Sequence, residues 1–168
     1  MQNNQTLVLN ATQIDQKVNR IAYQIFEDNA DEKEIIIAGV SHNGHYMAQK
    51  LVKILTKITS LKIQLIEVVI NKENPIGSDV KLSIDTKELT DKVIIVVDDV
   101  LNSGKTLIYG LHPFLTIPIK KLRTAVLVDR NHKRYPIAAD FVGLSMATTL
   151  QEHISVDLSE GNEAVFLS

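Results

Sequence analysis

The chain contains no cysteine. That excludes a disulfide framework and a thiolate metal site, and it suits a reducing compartment. No apolar stretch approaches the roughly 18 residues of a membrane span, and Met1-Gln2-Asn3-Asn4-Gln5 lacks the basic start and apolar core of a secretory leader. The expectation is a soluble, cytoplasmic protein. Charge of one sign is also scarce. With 18 Lys and Arg against 20 Asp and Glu, the formal net charge is −2, so nucleic acid and anionic lipid find no general attraction here, although local basic patches are permitted. Repeats, low-complexity tracts and long linkers are missing too. Hydrophobic residues make up 45% of the 168, enough for one globular domain over 1–168 with a buried core.

Thr12 followed by Asp15 has the form of a capping box, and Ile14, Val18, Ile21, Ala22, Ile25 and Phe26 recur at helical spacing. Together they predict an amphipathic helix over 13–28. A first strand is expected over 35–40, a turn over 41–44, and a second helix over 45–58 from the stripe Met47, Leu51, Ile54, Leu55 and Ile58. Residues 61–70 read as a strand and 71–77 as a loop with Asn-Pro and Gly-Ser signals, while 80–92 is ambiguous. Two further strands, 93–97 and 122–128, bracket another helix. Nearly all-apolar strands separated by helices indicate a parallel sheet covered on both faces, an open α/β fold. The tail segments Phe141-Val142-Gly143, Ile154-Ser155-Val156 and Ala164-Val165-Phe166-Leu167 read as short strands of a small hood near the strand ends.

Open α/β sheets bind ligands where strand C-termini meet the following loops. Three loops qualify here: 40–44, 98–106 and 129–136. The second ends in Gly104-Lys105-Thr106, like an ATP-binding loop, but the first glycine of that motif would fall at residue 99, which is aspartate. What remains is an apolar strand, two carboxylates, a turn of small residues and a helix. The turn at the helix N-terminus presents N–H groups and the positive end of a macrodipole, which suits a phosphate monoester. Asp98 and Asp99 suit a pair of vicinal hydroxyls or a Mg²⁺-bound sugar. Phosphate on one side and diol on the other describe a ribose 5-phosphate. The plainer reading is that both aspartates begin a turn or cap a helix. A phosphoacceptor domain would leave the Ser-Gly-Lys-Thr turn without a purpose, and His42-x-x-His45 has no nearby carboxylate in sequence, so it reads as a loop end and helix start rather than a metal site.

The stretch VIIVVDDVLNSGKT, residues 93–106, resembles the phosphoribosyl-pyrophosphate (PRPP) signature of type I phosphoribosyltransferases. AVLVDRNHKRYPIAADFVG, residues 125–143, with the helix-first order and AGVSHNG, is similar to the family of bifunctional pyrimidine-operon regulators with uracil phosphoribosyltransferase activity. The likeness covers most of the chain. It implies an open, mostly parallel sheet flanked by helices, with a hood over approximately 131–168. It implies transfer of ribose 5-phosphate from PRPP to a nucleobase, uracil or another pyrimidine, with Mg²⁺ as cofactor and release of pyrophosphate. PRPP, nucleobase and nucleoside monophosphate would be the ligands, and a homodimer or higher homo-oligomer the assembly. By the same resemblance Asp98 and Asp99 take the ribose hydroxyls and are the carboxylates available to Mg²⁺ bound through PRPP. Asn102, Ser103, Gly104, Lys105 and Thr106 enclose the 5-phosphate, Ser41, His42, Asn43 and Gly44 face the departing diphosphate, and Asp129, Arg130 and His132 lie where the base is read. Such chemistry requires positioning and electrostatics rather than a protein nucleophile.

The sequence also departs from the family. The related diphosphate loop reads Lys-Thr-Arg-Gly in pattern, so Ser41-His42-Asn43-Gly44 lacks two cations. The loop 71–79 is poor in Arg and Lys, leaving Lys72, with Lys81, as the candidate to cover the diphosphate. For RNA, the other partner of this family, Arg20 is followed on its helix by Tyr23, Glu27 and Asp28, residues 143–153 contain no Lys or Arg, and Lys133-Arg134 is the one dense basic pair nearby. Because phosphate contacts dominate RNA affinity, RNA binding is disfavoured. Three functions stay open: the transferase, an RNA-binding attenuator, and a nucleotide-binding relative with reduced turnover.

Overall fold

The structure, a computed structural model, describes residues 5–77 and 79–168. Residues 1–4, most of the stretch read for a leader, and Ser78 of the 71–79 loop lie outside the described residues.

Strand β1 (Thr6–Asn10) runs directly into helix α1 (Ala11–Asp28). Asn10 caps that helix: its Oδ1 accepts the Gln13 N–H at 2.9 Å, and Gln13 Oε1 accepts the Asn10 N–H at 3.0 Å. The expected Thr12–Asp15 box is therefore displaced by two residues, because α1 already begins at Ala11 and Asn10 has the extended backbone a cap requires. Of the predicted stripe, Ile14, Val18, Ile21, Ala22 and Ile25 are fully buried and Phe26 packs half-buried against the same core.

Next come β2 (Glu34–Val40), α2 (Asn43–Ile58), β3 (Lys62–Val69) and the short β4 (Lys81–Leu82). The ambiguous 80–92 stretch resolves into β4, paired antiparallel with β3, and a 3-10 turn at Thr86–Leu89. Then follow β5 (Val93–Leu101), α3 (Lys105–Leu115), β6 (Lys121–Asp129) and β7 (Phe141–Ser145). The main sheet has the order β4-β3-β2-β5-β6-β7, parallel except for β4. Its strands are apolar at successive positions because both faces are covered. Ile35, Ile37, Ile95 and Val97 join α1 and α2 in one core, while Ile36, Ala38, Ile94 and Val96 join Leu107 and Phe114 of α3 in the other. No helix among the described residues is long and apolar enough to cross a membrane.

The second sheet has the order β1-β9-β8, with β8 at Ile154–Asp157 and β9 at Ala164–Leu167, all antiparallel. Two details differ from the hood read in the sequence. The chain's first strand, β1, belongs to this small sheet, whereas Phe141–Ser145 extends the main sheet beside β6. Arg20 has a structural task at that junction, donating to the Val142 and Gly143 carbonyls at 3.1 and 2.5 Å. Although the residue is exposed, these two carbonyls engage its guanidinium.

The order also locates a crevice. From β2 the chain crosses through α2 to β3 on one side, and from β5 it crosses through α3 to β6 on the other. The direction of winding thus reverses between β2 and β5, the place where open α/β sheets form their ligand crevice.

Candidate active site

Strand β5 outlasts its neighbour. Its pairing with β2 ends at Gly39–Val97, while its pairing with β6 continues to Leu101–Asp129. Asp98 and Asp99 therefore lie inside the strand, beyond the 93–97 expected, at the point where one side of β5 is uncovered. The first turn of α2 fills that side closely. A Cβ on Gly44 would stand 2.9 Å from the Val97 carbonyl oxygen and 3.0 Å from Asp98 Oδ1, so only glycine lets the loop after β2 approach the acid pair this closely. Residues 41–44 and 98–106 are thereby brought together across the switch point.

The acid pair has a partner. Lys72 Nζ lies 2.9 Å from Asp98 Oδ1 and 3.2 Å from Asp99 Oδ1, and Asp98 Oδ1 also accepts the Asp99 N–H at 2.9 Å. Asp98 is only 2% exposed. Burial, and then the charge of Asp99, push its carboxyl up to about 8. For Asp99, burial acts upward too, but the Lys72 ammonium and hydrogen bonds outweigh it and hold the carboxyl below the usual range. Burial alone would lower Lys72; the two aspartates overcome it and raise the ammonium's pKa. One lysine and one ionised carboxylate thus face each other beside a second carboxyl that gives up its proton late.

After β5 the chain turns through Asn102 and Ser103 into Gly104, which adopts φ 85° and precedes α3. A Cβ there would lie 2.5 Å from Ile137 Cγ2. Gly104 supplies no side-chain cap, so the first N–H groups of α3 are left for another acceptor, apart from a long 3.3 Å contact from the Lys105 N–H to Ser103 Oγ. The Ser103 carbonyl is pinned from behind by the Arg134 and Tyr135 N–H groups at 2.8 and 3.0 Å. Val100 to Leu107 line a small cavity of about 40 Å³, and within this turn Asn102 Oδ1 is buried with no hydrogen-bond partner among the described residues. The uncapped N–H groups at the start of α3 suit one compact anion.

The loop after β2 differs from what its side chains suggested. Ser41 Oγ accepts the Ile70 N–H and donates to the Val68 carbonyl, both at 3.1 Å, sewing β2 to the end of β3. Asn43 Nδ2 donates to the Val156 carbonyl of the hood at 2.7 Å. His42 is exposed and takes φ 60°, a conformation costly for a residue with a Cβ. Backbone, rather than charged side chains, is what this loop presents to a ligand.

In the loop after β6, Asp129 accepts from the Asn131 N–H at 2.8 Å and from Lys133 Nζ at 3.0 Å. The Arg130 guanidinium turns to the 148–152 segment, donating to Thr148 Oγ1 and to the Thr149 and Glu152 carbonyls. These contacts tie the loop after β6 to the 148–152 segment. His132 is half-buried on the same loop. A Mg²⁺ would find two carboxylates at Asp98 and Asp99, and no group of three or more His, Cys, Asp or Glu occurs among the described residues. That fits a hard cation that keeps its waters and takes oxygens from a phosphorylated ligand.

The sequence singles out Lys72 as a candidate to cover the diphosphate; the structure places it on Asp98 and Asp99, and the β3–β2–β5 order is needed to see that they meet.

Comparison with known proteins agrees with this geometry. Residues 4–159 match the family described as phosphoribosyl transferase domain. The chain is 32% identical over 148 residues to "Bifunctional protein PyrR" of Streptococcus sanguinis (strain SK36), covering 85% of this chain and 84% of that one. Against the protein of the same name from Streptococcus pneumoniae (strain CGSP14) it is 31% identical over 158 residues, covering 91% and 90%. Among solved structures, the hypoxanthine phosphoribosyltransferase of Trypanosoma cruzi superposes with a TM-score of 0.77 at 16% identity over 96% of this chain and 95% of that one. A hypoxanthine-guanine phosphoribosyltransferase from Bacillus anthracis gives 0.70 at 21% identity over 86% and 85%; at these identities the likeness is one of fold. With an acidic strand end, an open helix N-terminus and a glycine-tight loop gathered at one switch point, and with relatives matching over most of its length, the chain belongs to the type I phosphoribosyltransferase family.

Proposed function

We propose that this protein transfers ribose 5-phosphate from PRPP to a pyrimidine, uracil before others, releasing pyrophosphate. The observation that carries the reading is the spacing of functions across the switch point: hydroxyl acceptors at Asp98 and Asp99 stand beside an uncapped helix N-terminus at Gly104–Thr106. Asp98 and Asp99 accept the ribose hydroxyls. The N–H groups after Gly104, with the Ser103 and Thr106 hydroxyls and Asn102, hold the 5-phosphate. The backbone of 41–44 faces the diphosphate, and Asp129, Arg130 and His132 border the base. As the bond from C1 to diphosphate breaks, positive charge grows on the sugar and negative charge on the leaving group. The carboxylates favour the first, and the N–H groups of residues 41–44 favour the second. A bound Mg²⁺ would supply charge neutralisation for the diphosphate. We place the protein in the cytoplasm as a homodimer or larger homo-oligomer. The choice of a pyrimidine rests on the resemblance to the pyrimidine-operon regulators.

One observation favours slow turnover. Ser41 and Asn43 are engaged by backbone partners, and loop 41–44 itself carries no Lys or Arg for the diphosphate. RNA is the weaker reading, since Arg20 is held by carbonyls and Lys133 by Asp129.

Thr106→Val tests the phosphate assignment. Removing one hydroxyl donor to a charged group costs about 1.5–3 kcal/mol, roughly tenfold or more in affinity. Calorimetry should show that loss for uridine monophosphate and almost none for uridine. Equal losses for both would show that Thr106 does not read the phosphate.

A further inference from the structure

The contact between Lys72 and the acid pair creates a conflict that the ligand has to resolve. The two Oδ1 atoms that receive the ammonium are acceptors a ribose diol or a Mg²⁺ would use, and Asp98 Oδ1 already takes the Asp99 N–H. A ligand that takes these Oδ1 atoms must therefore move Lys72. The lysine is free to travel: it sits on a loop, its side chain is 34% exposed, and it has a four-carbon stem. Its direction of travel is limited by the root of that loop. Ser41 Oγ holds the Ile70 N–H at 3.1 Å, so the segment carrying Lys72 leaves the sheet right beside the loop 41–44. Asn71 Oδ1 then accepts the Glu73 and Asn74 N–H groups at 3.0 and 3.2 Å, shaping the turn in which Lys72 stands. Residues 41–44 carry no Lys or Arg, and Lys72 is the one basic residue in 71–77.

Resting on the proposed function, we infer that Lys72 is a transferable counter-ion that sets the preference for PRPP over ligands lacking a diphosphate. In the ligand-free protein its ammonium lies against both Asp98 Oδ1 and Asp99 Oδ1. When the ribose hydroxyls take those carboxylates, the ammonium passes to the diphosphate beside the 41–44 loop and provides the cation which that loop lacks. A ligand with a diphosphate gives the displaced ammonium a new partner. A ribose 5-phosphate or a product nucleotide displaces it with no such compensation, so after the diphosphate departs Lys72 returns to the acid pair and helps to expel the product.

The inference is tested by titrating PRPP and ribose 5-phosphate, each with Mg²⁺ and without any base, into wild type, Lys72→Met and Lys72→Arg in a calorimeter. Making or breaking one charge-assisted hydrogen bond corresponds to roughly tenfold in affinity. Lys72→Met is expected to bind PRPP about tenfold more weakly and ribose 5-phosphate several-fold more tightly, whereas Lys72→Arg keeps the wild-type preference. Lys72→Gln should repeat the result for Met with a polar stem. If Lys72→Met shifts both ligands by the same factor, or if Arg behaves like Met, the counter-ion role is overturned while the proposed function stands. If wild type binds neither ligand, both fail.

Discussion

Asp98→Asn combined with Asp99→Asn is expected to weaken PRPP and uridine monophosphate by about 100-fold or more, since two acceptors of charge-assisted hydrogen bonds are lost together. The same change should not unfold the protein. Asp98 is a buried carboxyl, and the ladder from Val93 to Leu101 is formed by the backbone. The ligand-free, Mg²⁺-free protein should in fact benefit at high pH. The folded state holds the Asp98 proton up to about 8, against 3.8 for the ordinary carboxyl, so the folded form binds more protons than the unfolded one between those values. Its contribution to stability is therefore fully present below 3.8, declines as the pH rises, and is lost above about 8. Asp98→Asn removes that slope. Melting curves of wild type and Asp98→Asn should nearly coincide near pH 4 and separate by pH 9 with the variant higher, by about 2–4 °C for each kcal/mol recovered in a chain of this size. A gap that stays constant with pH would show that the buried carboxyl carries no such strain.

Gly104→Ala should damage phosphate binding more than any side-chain deletion in the turn. At φ 85° a Cβ costs roughly 1–2 kcal/mol in backbone strain, and it would meet Ile137 Cγ2 at 2.5 Å and Tyr135 Cβ at 3.4 Å. Ile137 is β-branched and cannot swing away cheaply, so the turn or the 134–137 segment has to shift. That segment is the one whose N–H groups fix the Ser103 carbonyl. The expected outcome is at least a roughly tenfold loss for 5-phosphorylated ligands, a melting point lower by several degrees, and uridine binding little changed. A variant that melts lower yet binds uridine monophosphate normally would separate the glycine's structural role from the phosphate site.

How far the sequence reveals this site depends on whether its parts are neighbours in the chain. Val93 to Thr106 contains a strand, an acid pair, a turn and a helix start in one run, so its chemistry is legible locally. The parallel sheet is legible too, because a strand buried on both faces, such as Ile35-Ile36-Ile37, has no polar alternation. What escaped the reading depends on distant partners. Strand β1 is five residues long and is stabilised by β9, whose Leu167 pairs with Thr6 at the other end of the chain. Phe141-Val142-Gly143 reads as part of the hood, and only the pairing with β6 shows that Phe141–Ser145 extends the main sheet. Arg20 carries the sequence mark of a surface cation, and only the fold shows two carbonyls holding it. Ser41 and Asn43 occupy diphosphate-loop positions in the sequence, yet their side chains are tied to β3 and the hood.

The central claim is transfer from PRPP, and its most direct test is incubation of the protein with PRPP, Mg²⁺ and one nucleobase at a time, followed by chromatography of the nucleotides. The account predicts Mg²⁺-dependent formation of a pyrimidine nucleoside monophosphate, with uracil the best acceptor, and loss of that product in the Asp98→Asn, Asp99→Asn protein. PRPP recovered intact with every base, or product formed equally well by the double variant, would contradict it.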